Sequence, residues 1–202
     1  MIKNLFFQGL LDTGKVDNQI MVIKDWFVNF YIIKTSNNLV CIDTGWRPFH
    51  VMRSFNQLSL DIHDVNAVFI THFHWDHCRC VNQYKNAKVY IGVNETNEKF
   101  ENKLKHTQTL IKVKDGDVVE FENLSVKVLE TPGHTSNSVC YLIDDKFLFT
   151  GDTLRIKDNK ILPFLSIFNK NRQVLKNSIN KINTFKNIEC IFTAHNGKFE
   201  LK

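Results

Sequence analysis

One short segment carries four residues of the types that bind metal ions in proteins. Residues 71–77 read THFHWDH and contain His72, His74, Asp76 and His77 directly after an apolar run. In an extended segment residues i and i+2 project to the same side, so His72 and His74 can bind one metal ion together. Asp76 and His77 point elsewhere and can serve a second ion nearby. Imidazole and carboxylate are the ligands expected for zinc or another first-row divalent ion.

Three more candidate ligands lie in tight loops that each follow an apolar stretch. They are His134 in TPGHT, Asp152 in TGDT and His195 in TAHNG. The glycine and proline neighbours suit loops that bring the backbone close to a site. A single histidine or aspartate in such a loop more often serves packing or a turn. The joint occurrence of all seven residues after apolar strands is therefore what predicts a metal site.

Short apolar runs that alternate with helical patterns must position these residues. Strands are predicted over residues 26–33, 39–43, 67–71, 87–91, 117–121, 124–129, 138–143, 146–150 and 188–193. Helices are predicted after Pro48, over residues 94–106, and through Val174, Leu175, Ile179 and Ile182. The segments LVCIDTG and VFITH of the first half are echoed by LFTGDT and IFTAH in the second. The echo predicts two related β/α halves that face each other within a single domain spanning residues 1–202.

The ordered set of HxHxDH, Gly-His, Gly-Asp-Thr and a late Ala-His resembles the metallo-β-lactamase-fold superfamily. The resemblance covers nearly the whole chain, from the segment IDTG at residues 42–45 to His195. It implies an α/β fold of the αββα sandwich type, in which two facing mixed β-sheets are flanked by helices. It also implies a dinuclear metal site at one edge of the sandwich.

The same resemblance implies how the ligands are shared between two ions. The implied ligands are His72, His74 and His134 for one ion, Asp76, His77 and His195 for the other, and Asp152 as a bridge. Asp43 would support a ligand rather than bind metal itself. Two ions about 3.5–4 Å apart can share a hydroxide that attacks a carbonyl or phosphorus. Asp76 would act as the catalytic residue that orients this hydroxide or passes a proton, and zinc is the expected metal, with iron and manganese as alternatives.

Two features favour a small ester, thioester or lactone as the substrate. The β-lactamases of the family generally lack an aspartate like Asp152, whereas enzymes resembling glyoxalase II, lactonases and phosphodiesterases have one. The chain ends seven residues after His195, which predicts a minimal catalytic core without the added substrate-binding regions of longer relatives. The expected function is a dinuclear, glyoxalase II-like metallo-hydrolase. Two alternatives stay open, a mononuclear iron dioxygenase that acts on a persulfide and a phosphodiesterase or nuclease.

The sequence departs from the family directly after the motif. Glyoxalase II-like members usually continue with one residue and then Gly-Gly, but this chain has Cys78-Arg79-Cys80. The departure puts a thioesterase assignment in doubt and leaves metal binding untouched. Either Arg79 binds an anionic substrate or a cysteine contacts the site, or these side chains turn into packing or solvent.

Two further regions can shape the surroundings of the site. The apolar segment 161–168 can line a substrate pocket, form a subunit interface or cover the core. Trp46 and Trp75 can form an aromatic wall near the metals. The sequence leaves the oligomeric state open.

Composition narrows the classes of partner and compartment. The 202 residues are 43% hydrophobic and carry a formal charge of +5, which excludes disordered and collagen-like proteins. The basic residues are scattered, so nucleic acid is not the expected partner. The expected partner is a small-molecule substrate, and whether that substrate is anionic is left open. Five cysteines without a CxxC pair, and an N-terminus without a long apolar core, predict a cytoplasmic protein with no membrane segment.

Overall fold

The computed structural model describes residues 9–94, 98–105 and 108–201. In this part of the chain two mixed β-sheets face each other and helices cover their outer faces. The predicted αββα sandwich is therefore confirmed. Three apolar clusters fill the space between the four layers, because each sheet buries one face against the other sheet and one against helices.

The first sheet contains seven strands that lie side by side in chain order. They are β1 (Gly14–Lys15), β2 (Ile20–Asp25), β3 (Val28–Lys34), β4 (Leu39–Ile42), β5 (Val65–Ile70), β6 (Lys88–Gly92) and β7 (Leu110–Val113). The pairs from β1 to β4 are antiparallel, and those from β4 to β7 are parallel. Strands β3 to β6 are buried along almost their whole length, which explains their continuous apolar sequences.

The second half of the chain forms eight strands. They are β8 (Val118–Phe121), β9 (Leu124–Glu130), β10 (Val139–Ile143), β11 (Phe147–Phe149), β12 (Leu154–Lys157), β13 (Lys160–Pro163), β14 (Cys190–Thr193) and β15 (Gly197–Glu200). Six of them build the second sheet in the order β15-β14-β11-β10-β9-β8, while β12 and β13 form a separate hairpin. Only β11 and β14 pair in parallel within this sheet.

In the described ranges four α-helices lie on the outside of the sandwich or at its edge. They are α1 (Pro48–Gln57), α2 (Trp75–Cys78), α3 (Glu98–Lys105) and α4 (Arg172–Ile182). Pro48 starts α1 as predicted, and Asn171 caps α4 by accepting hydrogen bonds from two backbone N–H groups. Within the described ranges no helix has the length and apolar content needed to cross a membrane.

The interior between the sheets is rich in aromatic side chains contributed by both halves. Its largest members include Tyr31, Phe69, Tyr141, Phe149 and Phe192. Two tyrosine hydroxyls cross from one sheet to the other at the same edge: Tyr141 donates to the carbonyl of Ile70, and Tyr31 donates to that of Thr193, both at 2.8 Å. Because parallel pairs end at the same edge, the loops after β4, β5, β11 and β14 converge there.

One predicted strand begins in the wrong place. The apolar run 26–33 was expected to be continuous, but Trp26 and Phe27 form the turn of the β2–β3 hairpin, in which Asp25 pairs with Val28. Trp26 has φ = 64°, a left-handed conformation. Strands β1, β2, β7, β12, β13 and β15 were not predicted from the sequence. The first and last parts of the predicted helix 94–106 include residues outside the described ranges.

Candidate metal centre

The structure brings all seven predicted ligands together at this edge. They form a first group, His72, His74, His134 and Asp152, and a second group, Asp76, His77 and His195. Within each group the candidate ligand atoms lie within 4.8 Å of one another. No cysteine belongs to either group among the described residues.

Asp152 lies between the two groups. Its Oδ2 is 3.3 Å from His134 Nε2 and 4.0 Å from His72 Nε2. Its Oδ1 is 3.1 Å from His195 Nε2 and 3.5 Å from His77 Nε2. One carboxylate oxygen therefore faces each group, which is the arrangement that a bridging ligand requires.

The orientation of four imidazoles is set by a partner at Nδ1. The pairs are His72 with Thr71 Oγ1 (3.1 Å), His77 with Asp43 Oδ2 (2.7 Å), His134 with Asn169 Oδ1 (3.2 Å) and His195 with the Phe27 carbonyl (2.7 Å). A carboxylate or a backbone carbonyl can only accept, so Nδ1 of His77 and of His195 donates the hydrogen. The Nε2 lone pair is then directed at the centre. His74 is the exception, since its Nδ1 faces the centre, 3.0 Å from His134 Nε2.

Asp43 joins the two motifs of the first half. It directly follows β4 with φ = 63°, and its Oδ1 accepts a hydrogen bond from the Thr71 backbone at 2.8 Å. The Thr71 hydroxyl lies 2.9 Å from Asp43 Oδ2. The same hydroxyl packs against Gly151, where an added Cβ would approach it to 2.6 Å. Glycine at position 151 thus lets the loop that carries Asp152 lie directly on the loop that carries His72.

The loop that carries His134 is held against helix α4. Gly133 has φ = 135°, and a Cβ there would come within 2.4 Å of the Leu175 backbone. The Ser178 hydroxyl donates to the Pro132 carbonyl at 2.7 Å. The Lys170 backbone N–H donates to the His134 carbonyl at 3.0 Å. These contacts hold the imidazole in place from the second half of the chain.

The pKa values of the three histidines in the first group are lowered. Burial and repulsion from His77 hold the pKa of His72 well below its ordinary value. Burial is also the main cause that lowers the pKa of His74 and of His134. Neutral imidazole is the form that binds metal ions.

The second group shows the opposite balance. Burial acts to lower the pKa of His77, but Asp76, Asp152 and Asp43 outweigh it and raise this pKa well above its ordinary value. For His195 burial is likewise outweighed, mainly by Asp152, so its pKa is raised. Burial would raise the pKa of Asp152, but His195 and His77 hold it well below its usual range. Asp152 is therefore an ionised carboxylate.

Three polar atoms at the centre test whether these residues fit a metal. His72 Nε2, His77 Nε2 and Asp152 Oδ1 are buried and make no hydrogen bond of normal length and angle. A buried polar atom without a partner is destabilising, and a coordinated cation satisfies such an atom. The donor set of imidazoles and carboxylates, with its lone pairs converging, fits divalent transition-metal ions.

Several neighbours that support the site were not singled out from the sequence. Thr71 adjoins His72, so its position was a usable signal. Asn169 is held by its own amide, which donates to the Phe164 carbonyl at 2.8 Å, and this contact directs Oδ1 toward His134. The Phe27 carbonyl is a backbone group, and no side-chain pattern in the sequence reveals it.

The segment Cys78-Arg79-Cys80 and the apolar segment 161–168 differ in where they place their side chains. Cys78 and Cys80 are buried in the apolar cluster on the outer face of the first sheet, whereas Arg79 is exposed. In the apolar segment, Phe164 is buried with its ring 5.2 Å from His134 and 5.5 Å from His195. Ile167 and Phe168 are exposed and line the open side of the centre.

Trp46 and Trp75 lie together beside the centre. Both line a cleft that also contains Phe27, and the rings of Phe27 and Trp46 meet edge to face at 5.2 Å. An aromatic wall therefore borders the metal centre, as the sequence suggested.

Comparison with known proteins places this geometry in context. A model of the metallo-beta-lactamase superfamily matches residues 23–195. A hydroxyacylglutathione hydrolase of Dictyostelium discoideum is 35% identical over 144 residues, which are 68% of this chain and 51% of that protein. A probable polyketide biosynthesis zinc-dependent hydrolase of Bacillus subtilis is 30% identical over 135 residues, 64% of this chain and 56% of that one. The chain thus spans about half the length of these curated relatives.

Solved structures share the architecture at low sequence identity. An archaeal metallo-beta-lactamase superfamily protein of Sulfolobus tokodaii superimposes with a TM-score of 0.68 at 19% identity, over 92% of this chain and 82% of that one. A subclass B3 metallo-beta-lactamase of Bradyrhizobium japonicum gives a TM-score of 0.69 at 19% identity, over 94% and 79%. These similarities concern the fold.

Proposed function

We propose that this chain, which belongs to the metallo-beta-lactamase superfamily, is a metal-dependent hydrolase that cleaves a small thioester, ester or lactone. The observation that carries the proposal is the position of Asp152, with one carboxylate oxygen toward each of two ligand groups. Such a site suits two ions that act on one substrate.

The proposed ligands follow from the two groups. His72, His74 and His134 would hold one ion, Asp76, His77 and His195 would hold the other, and Asp152 would be shared between them. The buried His72 Nε2, His77 Nε2 and Asp152 Oδ1 atoms, which make no hydrogen bond of normal length and angle, support this assignment. Zinc is the proposed metal, because nitrogen and oxygen donors suit it and because the Bacillus relative is named as zinc-dependent.

A thioester is the first substrate to test. The Dictyostelium relative is named as a hydroxyacylglutathione hydrolase, and an acylglutathione is a thioester. The region that matches this relative covers 68% of the chain. The cavity over the centre is lined by Phe27, Phe164 and Phe168 in addition to ligands, and it measures about 360 Å³. A space of this size and lining suits a small acyl compound rather than a polymer.

The chain's own residues divide the work around the reacting bond. When bound, divalent ions activate water and polarise the electrophile. Asp76 lines the cavity, is partly exposed, and has its Oδ2 3.4 Å from His195 Nε2 and 3.6 Å from His77 Nε2. We assign Asp76 the role of orienting the attacking water and carrying a proton to the leaving group. The aromatic rings exclude bulk water from one side.

Metal content and hydrolysis test the proposal together. Purified protein should contain about two equivalents of zinc, as measured by inductively coupled plasma mass spectrometry, and should hydrolyse at least one member of a panel of thioesters, esters and lactones. His74→Ala and Asp76→Ala should each lower kcat/KM by more than about a hundredfold. His63→Ala is the matched control, because His63 is exposed and belongs to neither group.

Other outcomes would redirect the assignment. One iron per chain with oxygen consumption on a persulfide would replace hydrolysis by oxygenation. Cleavage of phosphodiesters alone would identify a phosphodiesterase. Full activity of either ligand variant would contradict the proposed roles of His74 and Asp76.

A further inference from the structure

A second cleft, of about 350 Å³, opens beside the ligand groups and shares His74 and Asp76 with them. Its remaining lining residues are Phe27, Trp46, Trp75 and Arg79. A substrate whose reacting bond lies over the centre can therefore extend into this cleft along His74 and Asp76, which line both spaces. Aromatic walls with one cation form a distinctive binding surface for the non-reacting end of a substrate.

The aromatic walls are held in place by buried contacts. Asp25 is completely buried, and its Oδ2 accepts the backbone N–H groups of Trp46 and Arg47, each at 2.7 Å. The Phe27 carbonyl accepts from His195 Nδ1, and the two rings stack with centroids 5.8 Å apart. Because Phe27 and Trp46 are anchored in this way, a ligand would not have to order these two walls, which reduces the entropic cost of binding. The third wall, Trp75, is 72% exposed.

Two arginines near the cleft differ in their charge partners. Arg47 forms an ion pair with the buried Asp25, at 2.5 Å between Nε and Oδ1. The guanidinium of Arg79 lies over the Trp75 ring, with Cζ 5.8 Å from the ring centroid. Among the described residues no carboxylate lies within ion-pair distance of Arg79. One cation is thus neutralised, and the other remains open to an anion.

We propose that Arg79 recognises a carboxylate at the non-reacting end of the substrate, while Phe27, Trp46 and Trp75 contact the carbon chain between that carboxylate and the scissile bond. This inference rests on the proposed hydrolase function and adds the substrate class. A guanidinium offers two parallel donors to a carboxylate, and the Trp75 ring lies beneath the guanidinium of Arg79.

Two matched substrate pairs test the proposal and locate the carboxylate. The first pair is the glutaryl and glutaramyl thioester of N-acetylcysteamine, with the carboxylate or its amide on the acyl side. The second pair is the acetyl thioester of 3-mercaptopropionate and of 3-mercaptopropionamide, with the difference on the thiol side. In at least one pair the zinc-loaded wild type should prefer the carboxylate about tenfold in kcat/KM, mainly through KM.

Substitution of Arg79 should remove this preference selectively. Arg79→Ala should lower kcat/KM for the carboxylate substrate about tenfold and leave that for the amide unchanged, whereas Arg79→Lys should retain part of the preference. Arg53→Ala is the control, because Arg53 is exposed and does not line the cleft. Equal loss on both members of a pair, or no preference in either pair, would overturn the inference.

A binding measurement separates failure of the inference from failure of the proposed function. Two of the three tryptophans line the cleft, and the third, Trp26, lies 5.0 Å from Trp46, so intrinsic fluorescence reports on this region. Zinc-loaded protein should bind glutarate more tightly than its monoamide, and Arg79→Ala should abolish the difference. If this holds while neither the four thioesters nor any member of the thioester, ester and lactone panel is hydrolysed, the recognition stands and the hydrolase proposal falls. If glutarate and its monoamide bind equally, the recognition falls, whatever the activity.

Discussion

The two ligand groups differ in what holds their histidines. In the first group the hydrogen-bond partners of His72 and His134 are neutral: they are the hydroxyl of Thr71 and the side-chain amide of Asn169. In the second group His77 donates to the carboxylate of Asp43, which is 2.7 Å away. The second group also includes its own carboxylate, Asp76, whereas the first has only the shared Asp152.

This difference separates the electrostatics of two neighbouring sites. Without metal, burial favours neutral histidines in the first group, while carboxylates favour protonated histidines in the second. A proton and a metal ion compete for the same nitrogen. At neutral pH the histidines of the first group can therefore bind a cation without losing a proton. In the second group, binding of a cation must displace protons from the histidines. Four predictions test this contrast.

The largest effect is expected at the residue that both groups share. Asp152→Asn keeps the shape and removes the charge that faces each group, so both ions should be bound weakly. We expect metal content to fall from about two equivalents to below one, and kcat/KM to fall by more than about a hundredfold. Loss of a single equivalent with the other bound at wild-type affinity would show that Asp152 belongs to one group only.

A smaller effect is expected from the partners of the ligands, and it should be unequal. Asp43→Asn weakens the acceptor of His77 and should reduce affinity for one ion by about 10- to 100-fold. Asn169→Ala removes a neutral acceptor from His134 and should reduce affinity for the other ion by about tenfold or less. Competition with a chromophoric chelator measures both constants. Equal losses would show that the charge of the partner does not matter.

A third prediction concerns pH. The pKa values of His77 and His195 are raised above the ordinary 6.5, so protons compete with metal in the second group already at pH 6.5 and above. Those of His72, His74 and His134 are lowered, so competition in the first group begins only below pH 6.5. On acidification from pH 8, one ion should dissociate before the other, as followed by the visible absorption of cobalt-substituted protein. His195→Ala should abolish the earlier step, and its persistence would contradict the assignment.

The smallest effect is expected at the cysteines that follow the motif. Burial raises the pKa of Cys80 to about 12, and its side chain packs in the outer apolar cluster of the first sheet. Cys80→Ala should therefore cost only about 1 kcal/mol of stability and leave the metal content of both groups unchanged. Thermal denaturation and metal analysis measure the two quantities. Loss of metal in the Cys80→Ala variant would indicate that the Cys80 thiol contributes to metal binding.

The candidate site was predictable to the extent that its residues are marked by local sequence. Four ligands share one motif, and His134, Asp152 and His195 each follow an apolar strand and adjoin glycine, proline or alanine. The sandwich class was implied by the resemblance of these motifs to the metallo-β-lactamase-fold superfamily. The start of β3 was not predicted, because a two-residue turn made of Trp26 and Phe27 looks like strand sequence. Strands β12 and β13 were also missed, because no strand was predicted between residues 150 and 188.

Residue identity and order along the chain were enough to indicate which side chains could bind metal, because ligand chemistry is a local property. The fold that would carry them was implied by the resemblance of the ordered motifs to a known superfamily. The tertiary structure alone decided that Asp152 lies between two groups, that a carboxylate supports His77 and an amide supports His134, and that Arg79 faces an aromatic cleft without an acidic partner within ion-pair distance. Most of these relations join residues from distant parts of the chain. They depend on the packing of two sheets and on charge interactions that act through space.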